Sequence, residues 1–427
     1  MSVRRRAIPI AISHGGWRRL GERLRVPLVL ADQSLVSGAG FLSTILLARF
    51  LGVEDFGRFT LLWIAVLFVG SLQYAAVIQP MMSIGAKHSE SEAPAYYGAV
   101  VTQQFVVSAV AFAALVAGVE ASAILVPAWG IRSLALPLGI ALFAGQTQDF
   151  FRRYLFVRYR PLAALTNDGL RYLGQVLLLY AANRFAGALT IAAALWIMAA
   201  TAMLGAVHGV FCLERLSLSG RVLRTTAQRH WRLAKWLVPS TLISWGTGHV
   251  FFLVAGVVLG AATVGVLRAA QTIFGVVQIL LIAIDNFAPA QASEIFHRQG
   301  RAALHQYLKR LTWKLGGIIL PLLLLIDVNA ASIARFVYGS QYPAMSYLLL
   351  GFSAVNLLPL PAKILRVWAL AIEATEVEFI SWTVAVAFTA AVAYPLVAFG
   401  GTVGVFLGLF LVDAIWTVTM FSRLLKK

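Results

Sequence analysis

Two arginines sit where a charge is costly. Arg171 and Arg268 fall inside apolar runs long enough to cross a bilayer, about 13 Å and about 8 Å from the nearer end at 1.5 Å per residue. An ionisable group held in hydrocarbon defaults to a functional candidate facing the interior. A guanidinium keeps its charge and offers a planar fork of donors, which suits a pyrophosphate. Arg171 can instead pair with Asp168 or Asp149, and Arg268 can snorkel to the nearer interface, with Gln271 on its face three residues on.

Other polar groups in apolar runs extend the list. Asp32 and Gln33 open the first run, and Gln33, Ser37, Gly40 and Thr44 follow on one helical face that either lines a wet cavity or packs on a neighbour. Asp32 and Asp285 are candidates for a coupling proton or cation; Asp32, so near the cytoplasmic edge, can instead simply be hydrated at the helix start. Trp245 and His249, four apart, can stack on a sugar ring or on each other. Gln146 and Gln148 can bond sugar hydroxyls or neighbouring helices. Asp413 lies mid-run with no evident partner.

Much chemistry has no residues to perform it. The chain has no Gly-x4-Gly-Lys-[Ser/Thr] phosphate loop, no His-Glu-x-x-His and no Asp-x-Asp, and its single Cys212 excludes an internal disulfide or a cysteine metal cluster. No metal, no cofactor and no enzymatic activity are expected.

The elements that position these groups are helices. Of 427 residues, 60% are hydrophobic and 12% charged, in about a dozen apolar stretches too long for barrel strands. Spans are expected near 28–52, 59–86, 98–124, 132–150, 162–182, 187–213, 236–258, 263–291, 313–336, 343–368, 374–400 and 402–422. Alternate loops divide the 35 Lys and Arg very unevenly: only Arg49, Arg58, Arg132, Arg184 and Arg335 fall on one side. Because basic loops resist translocation, both termini are expected in the cytoplasm. The net charge of +18 is therefore read as topology and not as a nucleic-acid surface.

The organisation expected is a basic cytoplasmic tail (1–27), with no signal peptide, a six-helix half (28–213), a cytoplasmic linker (214–235) and a second six-helix half (236–427). The linker is either a plain charged connection or partly amphipathic, lying on anionic membrane lipid. The first hairpin of each half repeats Leu-Gly-x4-Gly, at Leu51-Gly52…Gly57 and Leu259-Gly260…Gly265. This favours a parallel repeat with a pseudo-twofold axis along the membrane normal.

The run Leu47-Ala48-Arg49-Phe50-Leu51-Gly52-Val53-Glu54-Asp55-Phe56-Gly57-Arg58-Phe59 resembles the first hairpin of the polysaccharide and O-antigen flippases of the multidrug, oligosaccharidyl-lipid and polysaccharide exporter superfamily. Val264-Gly265-Val266-Leu267-Arg268-Ala269-Ala270, Ala288-Pro289-Ala290 and Phe336-Val337-Tyr338-Gly339-Ser340-Gln341-Tyr342 resemble later parts of the same family. The resemblance implies two six-helix bundles around an alternating-access cavity in a bacterial inner membrane. It also implies translocation of an undecaprenyl-pyrophosphate-linked oligosaccharide, with a polymerase and glycosyltransferases of the same pathway as partners. A multidrug or metabolite exporter of the superfamily is the alternative, and a non-transporting assembly partner of glycosyltransferases a third.

Overall fold

A computed structural model describes residues 14–85, 88–125, 130–339, 341–342 and 345–427. Among these there is no strand. The first half comprises α1 (His14–Gln73), α2 (Gln79–Gly85), α3 (Ala93–Leu125), α4 (Ala135–Val157), α5 (Pro161–Asp168), α6 (Gly174–Ala186) and α7 (Ile191–Phe211). Wide π-helical turns, Tyr74–Ile78 and Gly169–Leu173, join α1 to α2 and α5 to α6. The second half comprises α8 (Gly220–Val258), α9 (Ala261–Ile273), α10 (Gly275–Val328), α11 (Ala330–Tyr338), α12 (Met345–Val355), α13 (Pro359–Ala371) and α14 (Thr375–Leu424).

Among the described residues six helices are long and apolar enough to cross a membrane, or eight if two bent pairs each count as one. The chain is a multi-pass membrane protein, all-helical and two-lobed. Two of the six runs are long enough for two crossings. Pro27–Gly85 has 59 residues, about 88 Å of helix against about 30 Å of hydrocarbon. It breaks at Gly52, where φ is 77°. Residues before the break (Thr44, Leu47) and after it (Thr60, Trp63) line one cavity, so the chain turns back there. α14 likewise breaks at Gly401, φ 56°, and a Cβ on Gly404 would overlap the Leu396 carbonyl across the hairpin. Only glycine takes this backbone conformation without strain.

The two halves meet through the repeated motif. Gly52 (φ 77°, ψ 173°) and Gly260 (φ 89°, ψ 167°) share one conformation. A Cβ on Gly57 would overlap the Ala261 carbonyl and lie 3.0 Å from the Gly265 nitrogen; a Cβ on Gly265 would overlap the Val53 carbonyl and lie 3.0 Å from the Gly57 nitrogen. Since 53 and 57 correspond to 261 and 265 in the repeat, the contact is its own twofold partner. Bare backbones pack at this seam because neither glycine has a side chain to hold them apart. Tyr342 Oη donates to the Ala48 carbonyl at 2.7 Å across the same end of the molecule.

Part of the expected linker is helix. α8 begins at Gly220 and runs on into the seventh span, with Thr226, His230 and Ala234 buried at four-residue spacing. Tyr96 Oη and His230 Nε2 share a hydrogen bond at 3.1 Å and Ser217 N donates to the Pro94 carbonyl at 3.0 Å, which docks this segment on the start of α3. Arg152 and Arg153, expected in the loop after the fourth span, lie instead within α4.

Candidate functional site

A cavity of about 540 Å³ opens between the halves. Arg171 and Tyr172 from the first half and His249, Arg268 and Gln271 from the second line it. It continues into a larger chamber of about 840 Å³, with Gly40, Thr44, Gly248, Arg268, Gln271 and Gln278 common to both. Small residues on α1 and α8 leave this space unfilled.

Arg171 projects from the wide turn Gly169–Leu173, a geometry that re-aims side chains and recurs at functional sites. Its guanidinium lies 4.8 Å from the Tyr172 ring centroid and donates to Gln148 Oε1. It takes neither acid that its sequence offered. Gly145 makes room for it: a Cβ there would sit 3.3 Å from the guanidinium. Arg268 does not snorkel outward either; it faces both chambers and donates to Gln271 Oε1 at 2.7 Å.

Behind Arg171 lies a buried charge cluster. Arg152 donates to Asp32 Oδ2 at 2.7 Å and to Asp168 Oδ2, joining α1, α4 and α5. Asp32 is 1% and Asp168 0% exposed. Gln148 Nε2 donates to Asp168 Oδ1 at 2.8 Å and to Asn167 Oδ1 at 2.6 Å. Hydrogen bonds therefore run without a gap from Asp32 through Arg152, Asp168 and Gln148 to Arg171 at the cavity wall. Two carboxylates share one guanidinium, and Asp32 Oδ1 is buried with no hydrogen-bond partner.

Of the residues expected at the site, the fold gathers Arg171, Arg268, Gln271 and His249 on one cavity. Asp32 is not the hydrated acid of a helix start but one arm of the buried cluster. Gln33 is exposed and does not itself line the cavity; it donates to Ser37 Oγ at 3.2 Å, and Ser37 lies on the chamber wall. Trp245 stacks on His249 at 4.7 Å between centroids and 8° between planes, with Phe68 against it at 4.7 Å. Its face is thus taken by neighbouring rings, and a sugar could reach only His249. The Asp285 side chain lies outside the described residues. Among those described, no three metal-ligating side chains gather.

No protein-family model and no curated protein sequence matches the chain. Solved structures do match in fold. A multidrug resistance MATE family transporter of the MOP superfamily in its inward-facing conformation superimposes with a TM-score of 0.70 at 12% identity, over 92% of this chain and 95% of that one. The lipid II flippase MurJ in an inward closed conformation gives 0.68 at 13% identity, over 94% and 88%. An outward-facing MATE transporter gives 0.57 at 14% identity, over 99% and 100%. The chain has the two-lobed fold of MOP-superfamily transporters.

Proposed function

We propose that the chain is a flippase that moves an undecaprenyl-pyrophosphate-linked oligosaccharide across a bacterial inner membrane. The observation that carries this reading is the convergence of Arg171 and Arg268, one from each half, on a single cavity. Two guanidiniums facing one chamber of about 540 Å³ suit a ligand with two phosphate charges. Sugars would occupy the 840 Å³ chamber and meet Gln271, Gln278 and Asn356, while the polyprenyl tail stays in lipid. With both termini in the cytoplasm, as the basic loops favour, the Gly57–Gly265 seam closes the periplasmic side and the cavity receives its cargo from the cytoplasmic leaflet.

The test is the leaflet distribution of lipid-linked oligosaccharide in a strain lacking the protein, then complemented with wild type or with Arg171→Ala/Arg268→Ala. Intermediates confined to the cytoplasmic leaflet, relieved by wild type and not by the double variant, support the flippase. Unchanged pools together with raised sensitivity to cationic compounds support a drug exporter, the reading that the carboxylate of Asp413 on the chamber wall favours. A scaffold for glycosyltransferases would tolerate loss of both arginines.

A further inference from the structure

A third chamber, about 650 Å³, lies between Gln79 of the first half, Ser240 and Thr241 of α8, and the faces of α13 and α14. It shares three lining residues with the 840 Å³ chamber: Pro359, Trp382 and Asp413. These form the neck between them. Proline and tryptophan are rigid and apolar, so the one charge in the neck is a carboxylate.

Asp413 lies on the inward face of α14, in line with Leu409, Val412 and Trp416. Among the described residues its carboxylate has no hydrogen-bond or ion-pair partner; the Thr417 hydroxyl bonds only its backbone carbonyl. Other acids within the helices are engaged: the buried Asp32 and Asp168 by Arg152, and the half-buried Asp327 by the Ser353 hydroxyl at 2.6 Å. Charged groups facing the two chambers are Lys363 and Arg366 of α13, Glu378 of α14, which pairs with Arg366 at 2.8 Å, and Arg268 of α9. α1, α8 and α10 present only neutral groups to them, namely Ser37, Thr44, Ser240, Thr241, Thr247 and Gln278.

Resting on the anionic-cargo reading, we infer that Asp413 is a proton-operated valve in the neck between the two chambers. An ionised carboxylate there repels a pyrophosphate on its way from Lys363 and Arg366 towards Arg268 and Arg171. Binding one proton turns the carboxylate into a neutral carboxylic acid that can donate a hydrogen bond to a phosphate oxygen. Each passage of the anionic head through the neck then requires one proton on Asp413, which ties cargo movement to proton supply. Removing the charge by mutation leaves the path open at every pH.

The experiment uses the full-length protein in proteoliposomes and a fluorescent short-chain polyprenyl pyrophosphate as probe. Its initial rate of movement between leaflets is measured from about pH 6 to about pH 8. The neutral fraction of a carboxylic acid falls about tenfold per unit above its pKa, so wild type should slow steeply as pH rises. Asp413→Asn should be flat with pH and at least as fast as wild type at the acid end, whereas Asp413→Glu should keep the slope. A sloping Asp413→Asn profile, or an inactive but folded Asp413→Asn protein, overturns the valve. Failure of wild type to move the probe at any pH overturns the anionic-cargo reading instead, so the two failures are distinguishable.

Discussion

Arg171 and Asp168 are three residues apart on neighbouring turns, yet they do not pair; each holds an opposite end of the Gln148 amide. The amide oxygen accepts from the arginine and the amide nitrogen donates to the carboxylate. Arg171 is thereby kept at the cavity wall while its charge remains available to a ligand. Gln148→Leu should break this arrangement with little change in volume. We expect it to lower flipping about tenfold, the order of effect of losing one hydrogen bond to a charged group, while Gln148→Glu, which pairs directly with Arg171, should lower it further. Rates per molecule in the membrane, normalised to immunoblot, check both.

Arg152 stabilises the first half by pairing with two buried acids. Its removal strands Asp32 and Asp168, and loss of one partner from a buried pair costs about 3–5 kcal/mol. Arg152→Ala should therefore unfold at clearly lower temperature in detergent. Adding Asp32→Asn and Asp168→Asn should restore much of the loss, because no unpaired charge remains. Thermal melts of the single and triple variants decide the point.

The glycine seam predicts a different kind of failure. Gly57→Ala or Gly265→Ala sets a methyl against a carbonyl of the other half, an overpacking worth about 1–3 kcal/mol. The lobes should part at this end while each stays folded. A disulfide between Val53→Cys and Ala261→Cys, in a background with Cys212 replaced, reports it: its yield should drop in either alanine variant.

The docked start of α8 should respond to acid. Burial, helped by the neighbouring Arg229, lowers the His230 imidazole from its usual 6.5 to about 4. A folded-state value below the unfolded one means that the docked form holds its full stability above about 6.5 and loses it as pH falls towards about 4. Amide exchange in residues 220–235 should rise over that window in wild type. His230→Gln should be insensitive to it.

Topology has its own check. Reporter fusions at Lys427 and within Arg221–Arg229 should both read cytoplasmic. A periplasmic reading at either would reverse the seam and the cavity mouth together.

The long apolar runs made the fold legible, because a bilayer demands a length and an apolarity that few other structures need. The turn at Gly52 and its repeat at Gly260 were legible for a related reason, since a positive φ restricts the residue type. Arg171 and Arg268 stood out as charges in lipid. Arg152 did not, because it follows Gln146, Gln148 and Asp149, and hydropathy reads a polar helix interior as the start of a loop. Its counting as a loop charge hid the cluster that holds Asp32. The π-turn beneath Arg171 leaves no periodic signal, so its partner Gln148 could not be chosen over Asp168 from spacing. Asp413 was visible as a lone acid, but only the packing of α14 shows that it stands between two chambers.

A contact in which Val53 meets Gly265 and Gly57 meets Ala261 is also one that two copies of a single six-span chain could make with each other. Either half therefore carries a surface that could recognise its own kind. What prevents this is covalent: α8 fixes which partner each half receives, at one-to-one stoichiometry. The joined chain is then free to let the two sides diverge, with the buried acid–arginine cluster kept in one and the unpaired Asp413 in the other, a division of labour closed to a homodimer.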